Sequence, residues 1–196
     1  MPVCQIPMEL PASVTAPIFT TVAKLLADAT ATEGTFMAQL SDLGLDPSTL
    51  APSFAAACRR LIAAGVSGDT RAAAFWVPGR IELMGKHTDY AGGRSLLCAV
   101  NRGFAVVSAD RADALCRIMV SFELSGVSDE ATVSLRGGKD AGADEGQADW
   151  ARYPAVTAQR LARNFGLSLG VDLALSCDLP EVRGGGGREP GRRVGG

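Results

Sequence analysis

The chain has 196 residues, of which 47% are hydrophobic, 20% charged and 6% aromatic, and its formal net charge is −2. This is ordinary globular composition, and it excludes a disordered acidic chain and a collagen-like chain. The small negative net charge gives no long-range attraction for a polyanion, so we expect no binding of nucleic acid through a general basic surface. Any phosphate group must therefore be bound by a local site.

Five cysteines are scattered along the chain without a C-x-x-C pair, and their odd number argues against a disulfide framework. The first thirteen residues, MPVCQIPMELPAS, lack the basic and apolar runs of a signal peptide. No uncharged apolar stretch approaches the roughly 18 to 20 residues that span a bilayer. We therefore expect a soluble cytoplasmic protein with no membrane contact.

Residues from about 13 to 66 are predicted to be helical, because apolar residues recur three or four positions apart in three segments. The stripes are Ile18, Val22, Leu25 and Leu26; Phe36, Leu40 and Leu43; and Phe54, Cys58, Leu61 and Ile62. Asp46-Pro47-Ser48 and Gly65 have the residue types that cap and end helices. We therefore expect residues 1–70 to form a helical N-terminal extension.

From Phe75 the pattern changes to short apolar runs separated by Gly, Asp and Ser, which predicts a sheet. The predicted strands are residues 74–77, 81–84, 96–100, 104–109, 116–122, 131–135 and 171–177. A loop over residues 137–148 and a helix that starts near Tyr153 are predicted before the last of these strands. Residues 184–196 hold seven glycines and three arginines, so we expect a disordered tail there.

The run PGRIELMGKHTDYAGG, residues 78–93, places five residues with chemically useful side chains within eleven positions: Arg80, Lys86, His87, Asp89 and Tyr90. His87 and Asp89 offer donors and acceptors for hydroxyl groups, and Arg80 and Lys86 carry positive charge. The combination is typical of a site for a polyhydroxylated substrate beside a phosphate. One His and one Asp are too few ligands for zinc, so we predict no metal here.

Each of these residues also has a purely structural interpretation when it is taken singly. A lone histidine such as His87 is commonly an ordinary loop or core residue. Asp89 followed by two glycines is compatible with an Asx-type turn, and Arg80 with a surface ion pair. The functional interpretation therefore depends on the combination.

The longer run GRIELMGKHTDYAGGRSLLCAV resembles the N-terminal signature of galactokinases, in the GHMP family of sugar and metabolite kinases, whose usual form is close to GRVNLIGEHTDYNGG followed by an apolar strand. A looser resemblance covers about residues 72–183, including Asp149-Trp150 and Ser176-Cys177-Asp178-Leu179-Pro180. It implies an α+β fold in which residues 71–183 form the N-terminal half of a GHMP-type domain, a sugar-binding region with a mixed sheet and helices on one side.

The resemblance also implies roles for single residues. In galactokinases the residues that match His87 and Asp89 bind hydroxyl groups of the hexose. The arginine that matches Arg80 lies near the attacked anomeric hydroxyl and the γ-phosphate, where its charge favours phosphoryl transfer. Tyr90 matches a signature tyrosine, and we expect it to support the loop beside the sugar.

Lys86 departs from the signature, because galactokinases usually have a sugar-contacting glutamate at this position. An ammonium group only donates hydrogen bonds and carries the opposite charge. If Lys86 takes part in substrate binding, it faces a substrate carboxylate, as in a uronic acid, or a different hydroxyl pattern. The alternative is that it turns to solvent.

The resemblance further implies ATP and Mg²⁺, bound through a P-x-x-x-G-L-S-S-S-A motif expected directly after Pro180. The chain there reads EVRGGGGREPGRRVGG, with no serine run and no later counterpart of the catalytic aspartate. We therefore expect a galactokinase-like kinase for galactose or a related monosaccharide that is incomplete in this chain, as a reading-frame change would produce. The alternatives are a non-catalytic sugar-binding or regulatory protein and an inactive truncated fragment.

Overall fold

The computed structural model describes residues 18–135 and 149–180, except for the side chains of Ile18, Asp89 and Asp149. The predicted loop at 137–148 and the predicted tail at 184–196 lie outside the described residues. The elements in chain order are β1 (Ile18–Thr21), α1 (Val22–Thr30), α2 (Thr35–Asp42), α3 (Pro47–Ala63), β2 (Arg71–Met84), β3 (Leu96–Asp110), β4 (Leu115–Phe122), β5 (Ser128–Ser134), α4 (Arg152–Phe165) and β6 (Val171–Cys177).

The six strands form one sheet in the order β1-β2-β3-β6-β4-β5. β4 and β6 are parallel, and every other neighbouring pair is antiparallel. The mixed sheet with its helices confirms the predicted α+β class. Among the residues described, no helix is both long and apolar enough to cross a membrane.

The helices of the N-terminal extension pack on one face of the sheet through the predicted stripes. Leu25, Leu40, Phe54 and Leu61 are each at most 4% exposed. They belong to the same buried cluster as sheet residues from four strands: Ala72, Ala105, Val107, Ala109, Met119 and Ala174. The extension and the sheet therefore share one hydrophobic core. The predicted boundary at residue 70 marks the change from helical to strand-like apolar spacing.

The first residues of the predicted helical region adopt a different structure. Residues 18–21 form strand β1, which pairs with β2 over Arg71–Ala74, and the helix begins at Val22. The Thr21 side chain caps that helix, since its Oγ1 accepts a hydrogen bond from the Lys24 N–H at 3.3 Å. The prediction of helix from about residue 13 is therefore wrong for Ile18 to Thr21.

The opposite face of the sheet carries α4, the one helix that is described after residue 70. The alternation of β4 and β6 directs Cys116, Ile118, Val120, Leu173 and Leu175 to this face, where they pack with Trp150 and Ala158. The Trp150 indole also donates a hydrogen bond to Asp129 of β5 at 2.6 Å. Helix α4 begins at Arg152, next to the predicted start at Tyr153.

A buried carboxylate joins three parts of the chain beneath the extension. Asp172 of β6 is 4% exposed and accepts hydrogen bonds from Arg111 at 2.8 Å and from Arg117 at 2.7 Å. Arg117 also donates to the carbonyl oxygen of Ala64, at the end of α3, at 3.1 Å. The paired charges satisfy one another, and they fix the end of α3 over the sheet.

β2 and β3 form a hairpin that is longer than the rest of the sheet. β6 pairs with β3 only over residues 104–110, and β1 pairs with β2 only over residues 71–74. The distal part of the hairpin therefore has unusually exposed apolar side chains, each 49% exposed or more: Val77, Ile81, Leu83, Met84, Leu96 and Leu97. The tip of this hairpin, residues 85–95, is the segment in which the site residues were predicted.

The hairpin strands also differ from their prediction as separate short runs. Residues 74–77 and 81–84 are parts of β2, and residues 96–100 and 104–109 are parts of β3, with a register shift between Pro78 and Arg80. Proline lacks an N–H group, and it is tolerated at position 78 because β1 ends before it and leaves one edge of β2 free. The Pro78-Gly79 pair therefore marks an irregularity within a strand and not a turn.

Candidate functional site

The loop at the hairpin tip is held together by its own backbone and by two hydroxyl side chains. The Gly85 carbonyl oxygen accepts hydrogen bonds from the Thr88 N–H at 3.0 Å, the Thr88 Oγ1 at 2.7 Å and the Ser95 Oγ at 3.0 Å. Because Ser95 lies at the far end of the loop, these contacts join its two ends. Gly85 has a φ of +94°, and a Cβ there would lie 2.5 Å from the Arg94 carbonyl oxygen, so this position requires glycine.

The second half of the loop closes on Thr88. The N–H groups of Ala91 and Gly93 donate to the Thr88 carbonyl oxygen at 3.1 and 2.8 Å. A Cβ at Gly93 would lie 2.8 Å from the Thr88 Cβ. Thr88 is therefore the residue around which the loop folds, and the loop conformation is defined without a bound ligand.

His87 is the described non-glycine residue with a left-handed backbone, at a φ of +64°. This conformation is uncommon for residues other than glycine, although Asn, Asp and His adopt it more often than most, and such residues are concentrated at functional sites. The imidazole stacks on the ring of Tyr90, with centroids 5.6 Å apart and planes at 27°. Tyr90 itself is 83% exposed, so its described contact supports His87 and leaves both rings open to a ligand.

A cavity of about 300 Å³ opens between the loop and the hairpin strands. Its described lining residues are Arg80, Glu82, Lys86, His87, Tyr90, Ser95 and Leu97. The structure thus brings together four of the five residues singled out in the sequence. The side chain of the fifth, Asp89, lies outside the described residues, and its backbone opens the short 3₁₀ turn Asp89–Ala91 that follows His87.

Glu82, Ser95 and Leu97 line this hairpin cavity but were not singled out in the sequence. A signal existed for Glu82, because residues i and i+2 of a strand face the same side, so a strand that directs Arg80 to the site also directs Glu82 there. Leu97 pairs with Glu82 across the ladder. The position of Leu97 beside the cavity depends on the register between β2 and β3, which cannot be deduced from the sequence of β2.

The electrostatics of the hairpin cavity combine two cations with one described carboxylate. The side chains of Arg80, Glu82 and Lys86 form no hydrogen bond or ion pair with another described residue. Arg80 and Lys86 can only donate, ionised Glu82 can only accept, and the His87, Tyr90 and Ser95 side chains can do both. The arrangement suits a ligand with several hydroxyl groups together with a negatively charged group.

Two other cavities flank α4 and contain none of the predicted site residues. One, of about 540 Å³, is lined by α4, by Leu135 and by the two residues after the helix, and its charged residues are Arg160 and Arg163. The other, of about 270 Å³, lies between α4 and the apolar face of β4 and β6. Neither cavity combines cationic, carboxylate and imidazole side chains among its described lining residues as the hairpin cavity does, so the hairpin cavity is the better candidate for chemistry.

The segment that leaves β6 is attached to the hairpin beside Arg80. The Asp178 carboxylate accepts a hydrogen bond from the Gly103 N–H at 2.7 Å, and the Asp178 N–H donates to the Gly103 carbonyl oxygen at 3.3 Å. The next side chain, Leu179, packs on Gly79, where a Cβ would lie only 2.7 Å from the Leu179 Cδ2. Asp178-Leu179-Pro180 therefore runs against the strand that positions Arg80.

The resemblance places the expected Mg²⁺-nucleotide site directly after Pro180. The phosphate-binding loop was expected within residues 181–196, which lie outside the described residues. Within residues 18–135 and 149–180 there is no group of three or more His, Cys, Asp and Glu side chains that could hold a metal ion.

Comparison with known proteins identifies the same segment. The galactokinase galactose-binding signature matches residues 65–109, which include β2, the hairpin loop and β3. Galactokinases from Bacillus subtilis (strain 168) and Fusobacterium nucleatum are each 32% identical to this chain over 112 residues, and one from Clostridium perfringens is 30% identical over 112 residues. Each alignment covers 56% of this chain and 27% of the relative, so the chain spans about a quarter of the length of these curated relatives.

A solved structure of Lactococcus lactis galactokinase complexed with galactose is also similar, with 23% sequence identity and a TM-score of 0.43 over 62% of this chain and 30% of that chain. The chain is therefore similar to the galactose-binding signature of galactokinases over residues 65–109 and to curated galactokinases over 112 residues.

Proposed function

We propose that the hairpin cavity binds galactose or a related monosaccharide for ATP-dependent phosphorylation at the anomeric hydroxyl. The observation that carries the proposal is the overlap of the galactose-binding signature with the strained, self-supported loop that lines this cavity. Arg80, Lys86, His87, Asp89 and Tyr90 are the proposed site residues. ATP and Mg²⁺ would be bound by residues other than those described.

Arg80 is the proposed catalytic residue. It lies on β2 below the loop, is exposed to the cavity and has no described partner for its guanidinium group. A fixed positive charge beside the attacked hydroxyl favours the developing alkoxide and the charge of the transferring phosphoryl group. His87 and Asp89 would orient the sugar, because a rigid loop that holds the acceptor hydroxyl in place supplies much of the acceleration.

The second candidate function is sugar binding without transfer. It is favoured by the run after Pro180, EVRGGGGREPGRRVGG, which has none of the serines of the expected phosphate-binding motif. A chain of this kind would act as a non-catalytic sugar-binding or regulatory protein. The same run is also compatible with a third candidate, an inactive fragment.

The full chain distinguishes these candidates in two measurements. Titration with galactose, followed by NMR or calorimetry, tests the cavity, and Arg80→Met with His87→Ala in the same titration tests whether binding occurs there. Incubation with ATP, Mg²⁺ and galactose then tests for galactose 1-phosphate.

Binding with turnover supports the kinase, and binding without turnover supports the sugar-binding protein. Absence of galactose binding at millimolar sugar would refute both and leave the inactive fragment. An unchanged affinity in the double variant would place the sugar elsewhere on the chain.

A further inference from the structure

The described carboxylate of the hairpin cavity is on the strand and not on the loop. Glu82 lies two residues after Arg80 on β2, and both side chains line the cavity. Lys86 occupies the loop position at which the usual signature, GRVNLIGEHTDYNGG, has its glutamate. Aligned residue by residue, that signature has asparagine where this chain has Glu82, so the acidic residue is displaced by four positions.

We propose that Glu82 is a substrate-binding residue that accepts hydrogen bonds from hydroxyl groups of a neutral monosaccharide, in place of a carboxylate at position 86. The inference rests on the proposed function and specifies the substrate class of the same site. Lys86 then supplies a donor and a positive charge beside Glu82.

The balance of hydrogen-bond donors and acceptors in the hairpin cavity supports this role. Each sugar hydroxyl brings one proton that needs an acceptor, whereas Arg80 and Lys86 provide donors only. Glu82 provides two acceptor oxygens and has no described hydrogen-bond or ion-pair partner. Hydrogen bonds to a charged group contribute more than neutral ones, so this carboxylate is the described acceptor with the greatest effect on affinity.

The same carboxylate argues against a uronic acid. A substrate carboxylate that reached Lys86 would also lie in the small cavity lined by Glu82, and two like charges at close range disfavour each other. A neutral hexose meets no such repulsion. Glu82 therefore offsets part of the preference for acidic sugars that Arg80 and Lys86 would give, whereas a neutral sugar is not repelled by it.

The test is calorimetric or NMR titration of the full chain with galactose and, separately, with galacturonate. Glu82→Gln keeps the size of the side chain and removes its charge, and we expect it to weaken galactose binding by about 10- to 100-fold. Glu33→Gln, on the exposed connection between α1 and α2, is the matched control and should leave the affinity unchanged. The double variant Glu82→Gln/Lys86→Glu returns a carboxylate to the loop and should recover most of the lost affinity.

The outcomes separate this inference from the proposed function. If the parent chain binds galactose and Glu82→Gln binds it as tightly as Glu33→Gln does, the role of Glu82 is refuted while sugar binding stands. Tighter binding of galacturonate than of galactose would also overturn the inference, in favour of Lys86 as a carboxylate receptor. If the parent binds neither sugar, both the inference and the proposed function fail.

Discussion

Truncation of Phe54 to alanine should destabilise the sheet together with the helices of the N-terminal extension. Phe54, in α3, is 2% exposed, and its ring packs edge to face on Phe36 with centroids 5.3 Å apart. It belongs to the buried cluster that includes Val107 of β3 and Met119 of β4. Loss of a fully buried phenylalanine costs about 3–5 kcal/mol when transfer and cavity terms are combined. We therefore expect the free energy of unfolding to fall by about 4 kcal/mol, out of the roughly 5–15 kcal/mol typical of a domain.

Equilibrium unfolding in urea measures this loss, with far-UV circular dichroism and tryptophan fluorescence recorded on the same samples. Trp76 of β2 packs against the affected cluster, and a Trp150→Phe background leaves it as the one fluorescent tryptophan. Phe165→Ala is the matched control, because Phe165 is 72% exposed and its loss should change stability by less than about 0.5 kcal/mol. If Phe54→Ala lowered the midpoint of the helical signal and left the Trp76 transition unmoved, the shared core would be refuted.

Three further predictions follow from the charges and from the exposed hairpin. Asp172→Asn should lower the free energy of unfolding by about 3 kcal/mol, because Arg111 and Arg117 lose a buried carboxylate. If urea denaturation showed that this free energy fell by less than about 1 kcal/mol, the stabilising role of the cluster would be contradicted. The hydrogen bonds and charge of Arg111 lower the pKa of Asp113 from 3.8 to about 2, so this pair stabilises the fold above about pH 4 and its contribution is lost as the pH falls through 2. The difference in unfolding free energy between the parent and Asp113→Asn should therefore become smaller as the pH is lowered. A difference that became larger in acid would contradict this prediction. The exposed apolar side chains of the distal hairpin predict that the chain binds a hydrophobic dye and aggregates, whereas a monomer that binds no dye would contradict this reading.

Local sequence patterns predicted the helices and most strands, and they failed where distant partners decide the structure. Leu25, Leu40 and Leu61 are buried as their helical spacing predicted. Ile18 has the same spacing from Val22, yet it lies in a strand because β2 offers a free edge to pair with. The position of β6 between β3 and β4 likewise depends on pairing between segments far apart in the chain, for which a single sequence contains no local signal.

The composition of the candidate site was predictable, while its geometry was not. The clustering of Arg80, Lys86 and His87 in a short run indicated a site, and the cavity contains all three. The sequence did not indicate that Thr88 organises the loop, since its hydrogen bonds to Gly85 follow from the backbone path. The roles proposed for the site residues stay predictions until a sugar is titrated, as do the domain boundaries at residues 70 and 183.

The hydrogen bonds between Asp178 and Gly103 couple the segment after β6 to the hairpin that carries Arg80. Three hydrogen bonds join Asp178 to the hairpin, one of them from Arg102 to the Asp178 carbonyl oxygen, and Leu179 contacts Gly79, one residue before Arg80. None of the described strands pairs with the distal part of the hairpin, so we expect a displacement of this exit to shift Arg80 more readily than the core. A displacement of Asp178-Leu179-Pro180 would therefore be transmitted to the strand that carries Arg80, and the hairpin cavity would respond to it although Asp178 does not line that cavity.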